Sequence, residues 1–145
     1  MKLSTRGRYG ILAMFDLALN APEGTQSIKS IAEREGIPEA YLEQLFAALR
    51  REGLVTSTRG AQGGYALAKA PEAISVGDVL RAVEGDISLA ECLEGDHTCD
   101  KAGACPSRIV WRKLRDGINA IVDGISLQDM IEDHRRMRAQ EDTTL

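Results

Sequence analysis

Between Ser27 and Leu67 the hydrophobic period changes from helical to alternating, and few folds accommodate that change in so short a stretch. Two short amphipathic segments come first. In "SIKSIAERE", Ser27 is placed to cap a helix whose Ile28, Ile31 and Ala32 share one apolar face. Gly36 supplies a turn, and Pro38 suits the first turn of a second helix over about residues 38–51. That helix carries Leu42, Leu45, Phe46 and Leu49 on its inner side. Beyond Gly53, "LVTST" and "GYALA" alternate as strands do, with "RGAQG" between them supplying the glycines of a hairpin loop. Two short helices around a glycine turn, followed by a hairpin, make a winged helix-turn-helix.

The flanks are mostly helical. Ser4 or Thr5 caps a first helix running to about Asn20, with Ile11, Met14, Phe15, Ala18 and Leu19 at three–four spacing. After Pro71, Ser75 and Asp78 form a capping box for "SVGDVLRAVEG". Residues 86–104 show no periodicity. A long helix returns from Pro106, and Ser126 with Asp129 starts a short one bearing Leu127, Met130 and Ile131. The charged tail "HRRMRAQEDTTL" is expected to fray. The expected fold class is mainly α with a small β-wing: a winged helix-turn-helix DNA-binding domain over residues 1–70, a connecting helix and cysteine loop over 71–104, and a dimerisation helix with a short helix and tail over 105–145.

Charge fits a local basic surface. The chain carries −4 overall, yet residues 1–69 hold nine Lys or Arg against seven Asp or Glu, while residues 70–145 hold nine against fifteen. An acidic second half therefore masks a mildly basic first half. The first residues, "MKLSTRGRYG", lack the apolar core of a secretory leader, and "ILAMFDLALNA" is too short to span a bilayer. The expectation is a cytoplasmic protein without membrane contact. There is no phosphate-binding glycine loop and no Ser–His–acid set, and the chain has only two histidines, His97 and His134, so an enzyme is not expected.

On the second helix of the pair, the face opposite the core carries Ala40, Gln44, Ala47 and Arg51, with Glu43 at its edge. Small alanines admit close approach to a groove, Gln44 suits adenine, and Glu43 accepts from the cytosine amino group. Tyr41 and Arg50 lie on the flanks, where phosphates would be. Arg59 at the hairpin tip suits a narrow minor groove, and Gly60, Gly63 and Gly64 let backbone approach phosphate. Arg6 and Arg8 add candidate phosphate contacts. The partner so implied is double-stranded DNA with a palindromic operator.

Three cysteines, Cys92, Cys99 and Cys105, fall within the unpatterned loop at C-x6-C-x5-C spacing, and the chain has no others. An odd number cannot all pair, and in a reducing compartment such a cluster points to metal or redox chemistry. The spacing is wider than the pairs of most structural zinc sites, and Gly95 and Gly103 let the loop wrap something larger than one ion. An iron–sulfur cluster, a zinc ion and a thiol sensor all stay open on these residues. A small cluster-carrying electron-transfer or delivery protein is the rival from another class, though it needs neither a reading helix nor a wing. The long helix poses a separate question. Val110, Leu114, Ile118, Ile121 and Ile125 form one apolar seam, which a second copy of the chain would close as a homodimer.

Taken together, "MKLSTRGRYG", "YLEQLFAALRREGLV", "RGAQGGYALAK", the three cysteines, Trp111 six places after the last of them, and "ISLQDM" resemble one family over about residues 1–133. It is the iron–sulfur cluster regulator family that includes IscR, NsrR, RirA and CymR. The resemblance implies a homodimeric transcription regulator of iron–sulfur assembly, iron or redox-stress genes, whose cluster state sets DNA binding. By position it implies Cys92, Cys99 and Cys105 as cluster ligands, 2Fe–2S before 4Fe–4S. It also implies Tyr41, Glu43, Gln44, Arg59 and the wing glycines as the DNA-facing set. Two positions depart from the pattern. Arg108 stands where IscR has a histidine ligand, and Arg8 stands where NsrR takes an aspartate from the partner chain. A fourth ligand would come from His97, Glu94, Asp96, Asp100, Glu33 of the other chain or a small thiol. The alternative is a thiol- or zinc-based redox regulator of the same fold.

Overall fold

The computed structural model describes residues 3–61, 63–90, 93 and 105–144. In chain order the elements are α1 (Thr5–Leu19), α2 (Ile28–Glu35), α3 (Glu39–Arg51), β1 (Val55–Thr58), β2 (Gly64–Leu67), α4 (Val76–Glu84), α5 (Pro106–Asp123) and α6 (Leu127–Thr144). The architecture is the expected one, helices with a two-stranded antiparallel wing.

Local chemistry explains most of the boundaries. The Ser4 hydroxyl accepts from the Gly7 amide at the start of α1, and Ser27 does the same for Ser30 at the start of α2. Helix α2 ends at Gly36, whose φ of 66° is the left-handed cap that glycine adopts without strain. Pro38 lies just outside α3, at its cap, rather than in its first turn. The Ser75–Asp78 capping box is present in both directions, and a second box joins Ser126 to Asp129.

Helix α1 lies at the centre and touches α2, α3, α4, α6 and the wing. Its buried face is correspondingly broader than the expected stripe. Ala13, Met14, Leu17 and Ala18 are buried, whereas Ile11, Phe15 and Leu19 only flank the core. Gly7 and Gly10 admit Leu80 and Val83 of α4, whose side-chain carbons would lie 3.2 Å from a Cβ at either glycine. Leu42, Leu45, Phe46 and Leu49 of α3 are inside as expected, joined by Ala48. The same core includes Ile74, Val79 and Val83 from the α4 region and Leu127 and Ile131 from α6. Helices α1, α3, α4 and α6 thus share one core.

The C-terminal tail differs from expectation. Rather than fraying after a short helix, it continues α6 to Thr144. It holds no glycine or proline, carries three arginines, and its Arg136 pairs with Asp133 one turn earlier. Among the described residues, no helix is long and apolar enough to cross a membrane.

Candidate nucleic-acid interface and cysteine loop

Helix α3 presents Ala40, Glu43, Gln44, Ala47, Arg50 and Arg51 to solvent while its other side is fully buried. The predicted reading face is therefore free along its length. Tyr41 is half-buried and meets Tyr9 of α1 edge-on, with ring centroids 5.4 Å apart. That contact holds the phenol at the margin of the exposed face.

The wing pairs Val55 with Leu67, Thr56 with Ala66, Ser57 with Tyr65 and Thr58 with Gly64. Arg59 follows the last pair at the tip and is exposed. Gly60 is open, with a φ of 110° and nothing in reach of a Cβ. Gly63 and Gly64 answer an internal demand instead. A Cβ on Gly63 would stand 2.2 Å from the Thr58 carbonyl oxygen, and one on Gly64 would stand 2.5 Å from that of Gln26.

The two N-terminal arginines separate. Arg6 is half-buried and its Nε donates to the Val83 carbonyl near the end of α4. Arg8 stays exposed beside Thr5.

Asp16 lies within the apolar run of α1. It is 2% exposed and receives a two-pronged hydrogen bond from Arg34 of α2, Nε to Oδ2 at 2.9 Å and Nη2 to Oδ1 at 2.7 Å. The same Nη2 reaches the Oε1 of Gln26 at 2.8 Å. Asp16 raises the Arg34 pKa through this hydrogen bond. Burial, with Asp16 beside it, pushes the Glu35 carboxyl above its ordinary range. An acidic residue inside an apolar helical stripe was the available signal.

A second network joins α4 to α5. Arg81 donates to both Asp123 oxygens at 2.7 and 2.9 Å and to Asn119 at 2.7 Å. The guanidinium holds the Asp123 carboxyl below its ordinary range. Backbone pairs reinforce the joint, from Val76 N–H to Ile125 and from Leu127 N–H to Ile74.

Cys105 is half-buried and occupies the cap position of α5, and Arg108 is half-buried in the first turn beyond it. Cys92 and Cys99 lie outside the described residues, as do His97, Glu94, Asp96 and Asp100. Glu33 is exposed on α2. Along α5, Val110, Leu114 and Ile121 are exposed, together with Ile109 and Trp111, which the expected seam omitted, and Ile125, two residues past the helix end, is exposed as well. Ile118 is half-buried near Leu3, Leu80 and Leu89.

Comparison with known proteins follows the same lines. A family model described as an iron-dependent transcriptional regulator, Rrf2, matches residues 3–133. The HTH-type transcriptional regulator IscR of Aliivibrio salmonicida (strain LFI1238) is 43% identical over 134 residues, 92% of this chain and 79% of that protein. The HTH-type transcriptional regulator CymR of Bacillus subtilis (strain 168) is 44% identical over 130 residues, 90% of this chain and 89% of that protein. Among solved structures, T. potens IscR matches with a TM-score of 0.76 and 48% identity, over 92% of this chain and 88% of that one. The structure of CymR, the global cysteine regulator of B. subtilis, matches with a TM-score of 0.75 and 42% identity, over 91% of this chain and 97% of that one. An exposed reading helix, a wing and these likenesses agree: the chain belongs to the Rrf2 family of DNA-binding transcriptional regulators and is not an enzyme.

Proposed function

We propose that this regulator acts in the cytoplasm as a homodimer on a palindromic operator, with DNA binding set by an iron–sulfur cluster on Cys92, Cys99 and Cys105. The observation that carries the reading is the place of the cysteines in the chain. All three lie between Gly85 and Pro106, the connection from α4, which is docked on the DNA-reading unit, to α5, which has a bare apolar face. Helix α5 is joined to the DNA-reading unit through that connection, through the Arg81 joint and through α6, which packs on α1.

The donor set fits a cluster. Three thiolates on a loop are the usual protein contribution, and a 2Fe–2S cluster is the form proposed, with 4Fe–4S the alternative. When bound, it supplies a group sensitive to redox state and iron supply. Arg108 brings no ligand, because a guanidinium stays protonated. The fourth ligand is one of His97, Glu94, Asp96 and Asp100, the partner chain's Glu33, or a small thiol. The protein's own part is mechanical. Cysteines gathered at one centre hold the ends of the loop at a fixed distance and orient α5, and released cysteines let α5 shift. Two reading helices would then change spacing on half-sites about one helical turn apart. A coupling of about 1–3 kcal/mol suffices. Glu43, Gln44, Ala40, Tyr41, Arg8, Arg50, Arg51 and Arg59 form the proposed DNA surface.

A thiol-based switch in the same fold is the second reading. The likeness to CymR and the arginine at position 108 favour it. Anaerobic purification with iron, acid-labile sulfide and EPR measurement separates the two. About two irons and about two sulfides per chain, lost in Cys92→Ala, are expected. No iron after reconstitution would overturn the cluster reading and leave the thiol switch.

A further inference from the structure

The wing is a two-stranded hairpin with four residues in each strand. Such a hairpin is marginal by itself, so its position in space comes from what it docks on. At its base, Val55 is buried and the Ala68 amide donates to the Leu54 carbonyl. Nearer the tip a second anchor appears. Gln26 and Tyr65 exchange two backbone hydrogen bonds, 2.9 Å from the Gln26 amide and 2.8 Å from the Tyr65 amide. Gly64, next to Tyr65, approaches Gln26 more closely than any side chain would allow. The Tyr65 ring also lies 4.6 Å from that of Phe46, centroid to centroid, on the reading helix.

Gln26 lies in an irregular segment between two helices, where no ladder fixes it. Its side chain does that instead. It is 7% exposed, its Oε1 accepts from Arg34, and its Nε2 donates towards the carbonyls of Gly24 and Asn20 at 3.3 and 3.4 Å. Asn20 in turn donates its side-chain N–H to the Asp16 carbonyl. Arg34 is gripped on its other edge by the buried Asp16 carboxylate. One continuous set of hydrogen bonds thus runs from the central helix through α2 to β2, the inner strand of the wing.

We infer that Asp16, Arg34 and Gln26 are positioning residues for the wing, holding β2 so that Arg59 and the reading helix meet DNA together. They touch no DNA themselves. The inference rests on Arg59 being a DNA contact, as proposed above. A guanidinium serves here because its planar fork spans a carboxylate and an amide oxygen at once, which an ammonium does not.

The test is a double-mutant cycle. The probe is a duplex enriched from a randomised pool by the wild-type chain. Arg34→Lys keeps the charge beside Asp16 and loses the reach to Gln26, and Gln26→Met removes the amide while preserving length. Each is expected to weaken binding about tenfold, the scale of one lost hydrogen bond to a charged group. In an Arg59→Ala background the same changes should cost less than about twofold, because the contact they position is already gone. Amide exchange at Tyr65 and Gln26 should quicken in both variants while the Leu42 and Leu45 amides of the reading helix stay protected. An equal loss in both backgrounds, or unchanged exchange at Tyr65, would overturn the inference. If Arg34→Lys does not fold, Gln26→Met decides. If the wild-type chain enriches no duplex, the DNA surface fails, and the exchange at Tyr65 still judges the wing anchor.

Discussion

Glu35 ends α2 beside the Asp16 carboxylate, and its charge works against the fold at neutral pH. Burial is the larger cause of its raised pKa, and the neighbouring carboxylate adds to it. A carboxylate at a helix C-terminus also faces the negative end of the helix dipole. The sign follows. A raised folded-state pKa favours the protonated form, so this group's stabilising contribution is complete below its ordinary range and is lost as pH rises through the folded value. Glu35→Gln keeps a donor towards Asp16 and removes the charge. It should raise Tm at pH 7 by roughly 1–3 °C, a small gain because water screens a half-exposed group. Near pH 4 the variant and wild type should melt together. A melting difference independent of pH would refute the charge as the cause.

At the scale of elements, the joint between α4 and α5 turns on Gly77. A Cβ there would sit 2.1 Å from the Asp123 Oδ1 that Arg81 holds. Elsewhere in a helix, glycine to alanine gains about 1 kcal/mol. Here the gain should vanish, because the methyl displaces Asp123 from its partner. Calorimetry should find Gly77→Ala no more stable than wild type, and Gly77→Ala with Asp123→Ala more stable than Asp123→Ala alone. Glycine's usual penalty appearing in full would mean that the joint is loose. The Arg81–Asp123 pair also has a pH signature. The lowered Asp123 pKa means that its contribution is present above about pH 4, the ordinary aspartate range, and fades as pH falls below it. Asp123→Asn should flatten that acid limb.

For the whole molecule, the bare seam of α5 is the feature to explain. Single exposed apolar residues are ordinary, but Val110, Trp111, Leu114 and Ile121 on one helix, with Ile125 just past its end, are a surface that water does not favour. Ile121 is 65% exposed in the single chain. Ile121→Glu should therefore leave folding within about 0.5 kcal/mol, as surface changes do. The mass by light scattering should fall from two chains to one, and affinity for a two-half-site duplex should drop with it. A variant that stays at two chains would move the dimer interface off this seam.

Much of this chain was settled by its sequence, and the reason is range. Caps, turns and hydrophobic period act between residues three or four apart, so Ser27, Gly36, the Ser75–Asp78 box and the inner face of α3 were legible before any coordinates. The exposed face of α3 was legible for the same reason, since the side opposite a buried stripe is exposed on any docked helix. The family likeness was legible as motifs. Tertiary structure decided what depends on meeting across the chain. Asp16 became the anchor of Arg34, Gln26 became the dock of the wing, and Gly77 became room for Asp123. Arg6 was brought to the Val83 carbonyl across the fold. No spacing rule predicts these contacts, because a buried polar group is stable only where the fold delivers its partner.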